Sequence, residues 1–253
     1  MRRTALTGFI PTLVLVASVA LAAGSGSAAH TTTLGKASLR TAHVASEHYA
    51  LAVRITKDGQ PLTLHVHGQS APHMISVRLK ISDLTLPDGT KVRGPSGAAL
   101  LDGPFLYQRA PSNLVLFGKI RWLRVAVSTL SPASDALRSV HDMTPAPLLH
   151  VLGEARVEAR SPTVFRGTVA YDDPIVRTAL HGITNGIEFR QLRITVWLGR
   201  DGLVHGVRLT GRTADGSMSL RLSARLYAFG RPVHITPPAP GTFLDKQLLQ
   251  LAA

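Results

Sequence analysis

A chain of 253 residues, 45% apolar and 17% charged, is long enough for one globular unit with a sizeable core, or at most two small ones. The absence of cysteine excludes disulfides, thiolate metal sites and cysteine nucleophiles together, so any exported form is held by packing alone. A formal net charge of +13 points to anionic partners; the basic residues are spread singly through strand-like segments with no basic run and no interleaved stacking aromatics, which argues against nucleic acid.

Met1 to Arg3 supply a positive start, and ALTGFIPTLVLVASVALAA behind them is an apolar run with small-residue ends at Ala20-Leu21-Ala22 and again at Ser27-Ala28-Ala29. Residues 1–29 therefore read as the signal peptide of an exported protein, and Pro11 with the two candidate cleavage sites favours removal. The competing reading is an uncleaved anchor, because the run approaches the ~20 residues that cross a bilayer. Leu21-Ala22-Ala23 ends like a bacterial lipoprotein signal, yet Gly24 stands where such a signal needs the cysteine whose sulfur carries the lipid. The body, residues 30–253, is expected to form one domain, secreted or held in the cell envelope.

A helix is expected over Thr33 to Glu47, with a modest apolar face from Leu34, Ala37, Leu39, Ala42 and Val44. Tyr49, Leu51, Val53 and Ile55 then alternate with small or polar residues up to Asp58-Gly59, and Leu62, Leu64 and Val66 alternate on the return, which predicts a hairpin. Ile75, Val77, Leu79 and Ile81 alternate with Ser76, Arg78, Lys80 and Ser82 before Pro87-Asp88-Gly89, which has turn chemistry. Two short strand-like pieces follow, GAALLDGPFLYQRA and GKIRWLRVAV, around Phe105, Tyr107 and Trp122.

Helix starts are signalled at Ser134-Asp135, at Thr144-Pro145 and at Asp172-Asp173-Pro174, each with a capping side chain, the last two ahead of proline at the first helical position. Between the last two lie candidate strands Ala155 to Arg160 and Val164 to Tyr171. A three-stranded meander is expected from Leu192 to Leu226, through the Gly-Arg-Asp-Gly turn and through Ala214-Asp215-Gly216. Pro232 and Pro237-Pro238 then suit an edge and end the sheet. The sum is a mainly β (α+β) fold: about ten antiparallel strands in a sheet that must curl, with a helix before it and helices inserted midway covering its apolar face.

No nucleophile elbow, phosphate loop, zinc-protease helix or dinucleotide fingerprint is present, so no catalytic residues and no cofactor are assigned and the chain is read as a non-enzyme. In HVHGQSAPH, His65 and His67 share a strand face with His73 past a turn, but that face is opposite Leu64 and Val66 and therefore wet; exposed imidazoles are expected, not a metal site. Asp172-Asp173 reads as a helix cap, and Glu154 with Glu158 as solvent-facing carboxylates. Arg78, Lys80, Arg193, Arg221 and Arg225 form a cationic stripe on the outer sheet face. With few long helices to cover so large a sheet, a cavity is expected whose missing apolar surface a ligand supplies.

RITVWLGRDGLVHGVRLTG followed by SLRLSARLYAFGRPVHITPPAPG resembles the mycobacterial LppX/LprAFG lipoproteins, whose fold is similar to the LolA and LolB carriers: a V-W-L strand, an Asp-Gly hairpin and a closing aromatic-Gly-basic-Pro-Val strand. SEHYAL, LPDGT, LLDGPFLYQRA and GKIRWLRV are earlier echoes. The resemblance implies a half-barrel with helices lining its open side and an apolar cavity for acyl chains of envelope lipids or glycolipids. Gly24 departs from the family at its lipidated cysteine. Lipid-cavity candidates among the alternating apolar residues are Leu51, Val53, Leu64, Val77, Leu79, Phe105, Tyr107, Phe165, Ile194, Val196, Leu209, Leu220 and Leu222. The function expected is lipid or glycolipid binding or carriage, with contact to an anionic membrane surface and an envelope transporter as further partners. The alternative is a structural protein docking through its basic face on anionic wall polymer or membrane.

Overall fold

A computed structural model describes residues 33–85, 90–110, 120–131, 134–184 and 187–245; the leader, the Pro87-Asp88-Gly89 turn and Gly118-Lys119 lie outside these. Helix α1 (Thr33–Ala42) leads into the hairpin β1 (Glu47–Lys57) and β2 (Gln60–Ala71). Asp58 and Gly59 both take positive φ, 49° and 79°, the twist that a two-residue hairpin between right-twisted strands demands. After β3 (Met74–Ile81), the two-residue strands β4 (Leu84–Thr85) and β5 (Lys91–Val92) pair only with each other. Then come β6 (Ser96–Asp102), β7 (Phe105–Arg109) and β8 (Trp122–Ala126), followed by α2 (Asp135–Asp142), α3 (Ala146–Val151), β9 (Arg156–Ser161), β10 (Val164–Val169) and α4 (Pro174–Thr184). The expected meander is β11 (Gln191–Leu198), β12 (Val204–Arg212) and β13 (Met218–Tyr227); β14 (Phe243–Asp245) ends the described chain.

Twelve of these strands form one open sheet in the order β14-β8-β7-β6-β3-β2-β1-β13-β12-β11-β10-β9, mostly β with the helices on one side. Short turns join most neighbours, which makes the pairings antiparallel; β14 beside β8 is parallel because its strand arrives by a long return. The strand total exceeds ten for two local reasons. LLDGPFLY folds as the hairpin β6–β7 around Gly103, at φ 48°, and the chain beyond the prolines returns to add β14 as an edge strand beside β8.

Helix α1 ends at Ala42 and not at Glu47. Thr41 explains the early stop: its hydroxyl donates to the Ala37 carbonyl (2.7 Å) and accepts from the Val204 amide (2.8 Å), tying the last turn to the start of β12. Ser46 is then held extended by the far end of the chain, its hydroxyl donating to the Arg231 carbonyl (2.6 Å) and its carbonyl accepting from the Gly230 amide. The later helices start where capping chemistry places them. Ser134 Oγ accepts from the Leu137 amide, Thr144 Oγ1 from Ala146, and Asp173 Oδ1 from Ile175 and Val176.

Register puts the apolar rows together. Val53 faces Leu64 on β2 and Leu222 on β13; Ile194 faces Leu209, which faces Leu222. All these belong to the inner face, where Leu34 of α1, Leu148 and Val151 of α3 and Val176 and Leu180 of α4 close over them, each at 1% exposure or less. Buried polar groups pin the helices: Ser38 donates to the Leu149 carbonyl, and Tyr171 and Thr184 hydroxyls pair at 3.0 Å. Tyr49 lies flat across β2 at Gly68, where a Cβ would stand 2.2 Å from the ring, so glycine is what lets the phenol occupy the core.

A second, smaller core lies on the opposite face. Leu100, Tyr107 and Ile235 are buried there, with Phe105, Met74, Val233 and Phe243 packed against them. Residues 231–242, rich in proline, cross this face as a strap whose carbonyls and side chains make the contacts that missing N–H groups cannot, for example Gln69 to the His234 carbonyl.

Candidate functional site

Where α1 gives way to β1, the inner face is left uncovered by helix. A recess of about 670 Å³ opens there between the loop 42–45, the β2–β3 turn at Pro72-His73, the β6–β7 turn, and helices α2 and α3. Ile75, Leu101, Val127 and Leu137 give it apolar walls, while Glu47, Ser70, His73, His141 and Thr144 supply polar groups. Its size falls in the ~300–1,000 Å³ range of small-molecule sites.

Glu47 is the unusual member. It is only 9% exposed, one carboxyl oxygen accepts a long hydrogen bond from Ser70 (3.3 Å), and the other has no hydrogen-bond partner among the described residues. Burial pushes its carboxyl from the ordinary 4.5 up to about 7, with the Ser70 hydroxyl pulling the other way. Tyr49, two residues along the same strand face, is raised by burial and by the nearby Glu47 charge, and its hydroxyl likewise has no partner among the described residues. A carboxyl that keeps its proton about half the time at pH 7 beside apolar walls can donate as well as accept a hydrogen bond, which suits the polar end of an amphiphile.

None of the thirteen cavity candidates lines this recess. Leu51, Val53, Val77, Phe165, Ile194, Val196, Leu209, Leu220 and Leu222 are buried in the inner core, and Leu64 and Leu79 are half-buried against it. Phe105 and Tyr107 stand on the opposite face in the second core, because Leu106 between them is the residue that points inward. Ile75, Leu101, Val127, Leu137 and Glu47, which do line it, are not among those candidates. Period two along β1 carries the signal for Glu47: Tyr49, Leu51 and Val53 face in, so Glu47 does too once the helix stops at Ala42.

The outer face is cationic, and His65, His67, Arg78, Lys80, Arg193, Arg221 and Arg225 all stand exposed on it. Among the described residues no three His, Asp or Glu side chains converge as a metal site. Asp173 is a helix cap, and Glu158 makes an exposed ion pair with Arg160 at 3.2 Å.

No protein-family model matches the sequence, and no curated protein matches it. Solved structures similar to this chain include LprF from Mycobacterium bovis, 17% identical with a TM-score of 0.45 over 85% of this chain and 100% of that one. Lipoprotein LppX from Mycobacterium tuberculosis is 16% identical with a TM-score of 0.39, over 81% and 98%. A putative outer membrane lipoprotein-sorting protein domain from Vibrio parahaemolyticus is 8% identical with a TM-score of 0.29, over 80% and 92%. The first two bear the names of the lipoprotein family that the sequence resembles.

Proposed function

We propose that this chain is an exported, non-catalytic protein that binds or carries a lipid or glycolipid of the cell envelope. The recess between β1–β3, β6 and helices α1–α3 carries the proposal: apolar walls for an acyl chain and a polar group set, centred on Glu47, for its head. Burial of chain methylenes contributes roughly 0.8 kcal/mol each, so a single long chain binds without a dedicated ion pair. The leader supplies export, and with Gly24 in place of cysteine the protein is soluble or held by its uncleaved signal, not by lipidation.

The test is native mass spectrometry of the gently purified mature protein, followed by titration with fluorescent fatty-acyl probes of increasing chain length. Co-purified lipid and an affinity that climbs with chain length and ignores salt are expected. No lipid and no probe binding would sink the proposal. Binding that ignores chain length and vanishes with salt would assign the ligand to the basic face instead.

A further inference from the structure

The four adjacent strands β1, β13, β12 and β11 build a second site on the outer face, at the other end of the sheet. Each strand presents one arginine there: Arg54, Arg221, Arg212 and Arg193. Each also presents one neutral hydrogen-bonding side chain two residues away: Thr56, Ser219, Thr210 and Gln191. Register aligns them in two rows. Arg54 stands opposite Arg221, which faces Thr210, which faces Arg193; in the second row Thr56 faces Ser219, then Arg212, then Gln191. The rows, with Arg190 at their edge and the β12–β13 turn as a wall, enclose a recess of about 880 Å³.

Like charges directly opposite on neighbouring strands oppose folding, and Arg54–Arg221 is such a pair. No carboxylate lies within ion-pair distance of any of these arginines among the described residues. Asp215, the acidic residue at the recess, is turned to its own loop, accepting from the Thr213 hydroxyl and the Ser217 amide. The cations are therefore left for an external anion. We propose that this grid binds a linear polyanion with closely spaced phosphate groups. Guanidinium forks match phosphate oxygens in pairs, and the hydroxyls and the amide donate to the oxygens that remain.

The row from Arg54 to Arg193 spans three strand spacings, about 14 Å, which is longer than one phosphate and suits several in succession. Nucleic acid is disfavoured because no aromatic side chain lines the recess for a base to stack on. A bilayer is disfavoured by position: Glu47 and Thr56 are nine residues apart along β1, about 30 Å, and on opposite ends of the sheet, so a membrane delivering lipid to the first recess does not reach the second. The arginine grid stands apart from the lipid reading, whereas the choice of a free polyanion over a bilayer rests on it.

The probe is a fluorescently labelled inorganic polyphosphate of about ten to twenty units, titrated against the mature protein at several salt concentrations. Arg54→Gln with Arg221→Gln is expected to weaken binding tenfold or more. Arg78→Gln with Lys80→Gln, an equal charge change on the same face outside the recess, is expected to weaken it less than twofold. The first double variant should also melt no lower than the parent, since it removes a repulsion, so a folding defect is separable. Equal losses in the two double variants would reduce the effect to net charge and overturn the site. Binding to phosphatidylglycerol vesicles without binding to polyphosphate, or tighter binding of oligodeoxythymidine than of polyphosphate, would overturn the choice of ligand.

Discussion

Glu47 couples the candidate lipid site to pH through its own burial. In the unfolded chain its carboxyl loses a proton near 4.5, whereas in the fold it holds that proton up to about 7. Between those values the native state binds more protons than the unfolded one, so stability falls as pH rises from about 4.5 to about 7 and is level above. The upper bound on that loss is roughly 3.5 kcal/mol, since the rise from 4.5 to about 7 is about two and a half units at ~1.4 kcal/mol each. Glu47→Gln, which keeps the shape and removes the charge, should melt at a higher temperature than the parent at pH 8 and close to it at pH 4. A parent-minus-variant difference that is flat across pH 4 to 8 in thermal melts would show that Glu47 titrates normally.

At the scale of elements, hairpins were legible wherever turn chemistry and alternation agreed, as in Leu62–Val66 behind Asp58-Gly59 and in the meander β11–β13. What the chain hid was set by partners far away in sequence. Ser46 is extended because it meets Arg231, 185 positions on, and no local signal for the end of α1 contains that contact. Strand β14 is three residues long and is defined by what it meets. Arg124 on β8 grips Asp245 with two bonds, 2.6 and 2.9 Å, while its guanidinium lies between the rings of Phe105 (4.7 Å) and Phe243 (4.3 Å). Asp245→Asn should therefore loosen β14 as a unit, with faster amide hydrogen exchange over β14 and β8 and unchanged exchange in β11–β13. Unaltered exchange at β8 would mean that the rings alone hold the strand.

Across the whole molecule, the inner apolar face divides into a closed part and an open part, and alternation could not tell them apart. Leu209, Leu222 and Ile194 alternate just as Ile75 and Leu101 do, yet the former sit under α1, α3 and α4, and the latter border the recess. Phe105 and Tyr107 mislead for a related reason: both faces of β7 are apolar, so the pattern gives a period without a direction. The division makes opposite demands on two substitutions. Leu209→Ala empties a fully buried site and should cost about 2–5 kcal/mol, lowering Tm by roughly 5–15 °C, while the folded protein keeps its affinity for an acyl probe. Leu137→Trp adds bulk to a half-buried wall of the recess and should leave Tm within a few degrees of the parent while weakening probe binding at least tenfold. If Leu209→Ala weakens probe binding in the folded protein and Leu137→Trp does not, the acyl chain lies deeper, among the strands beneath the helices. The fully buried core would then be the ligand's site, opened by displacement of α3 and α4 from the sheet.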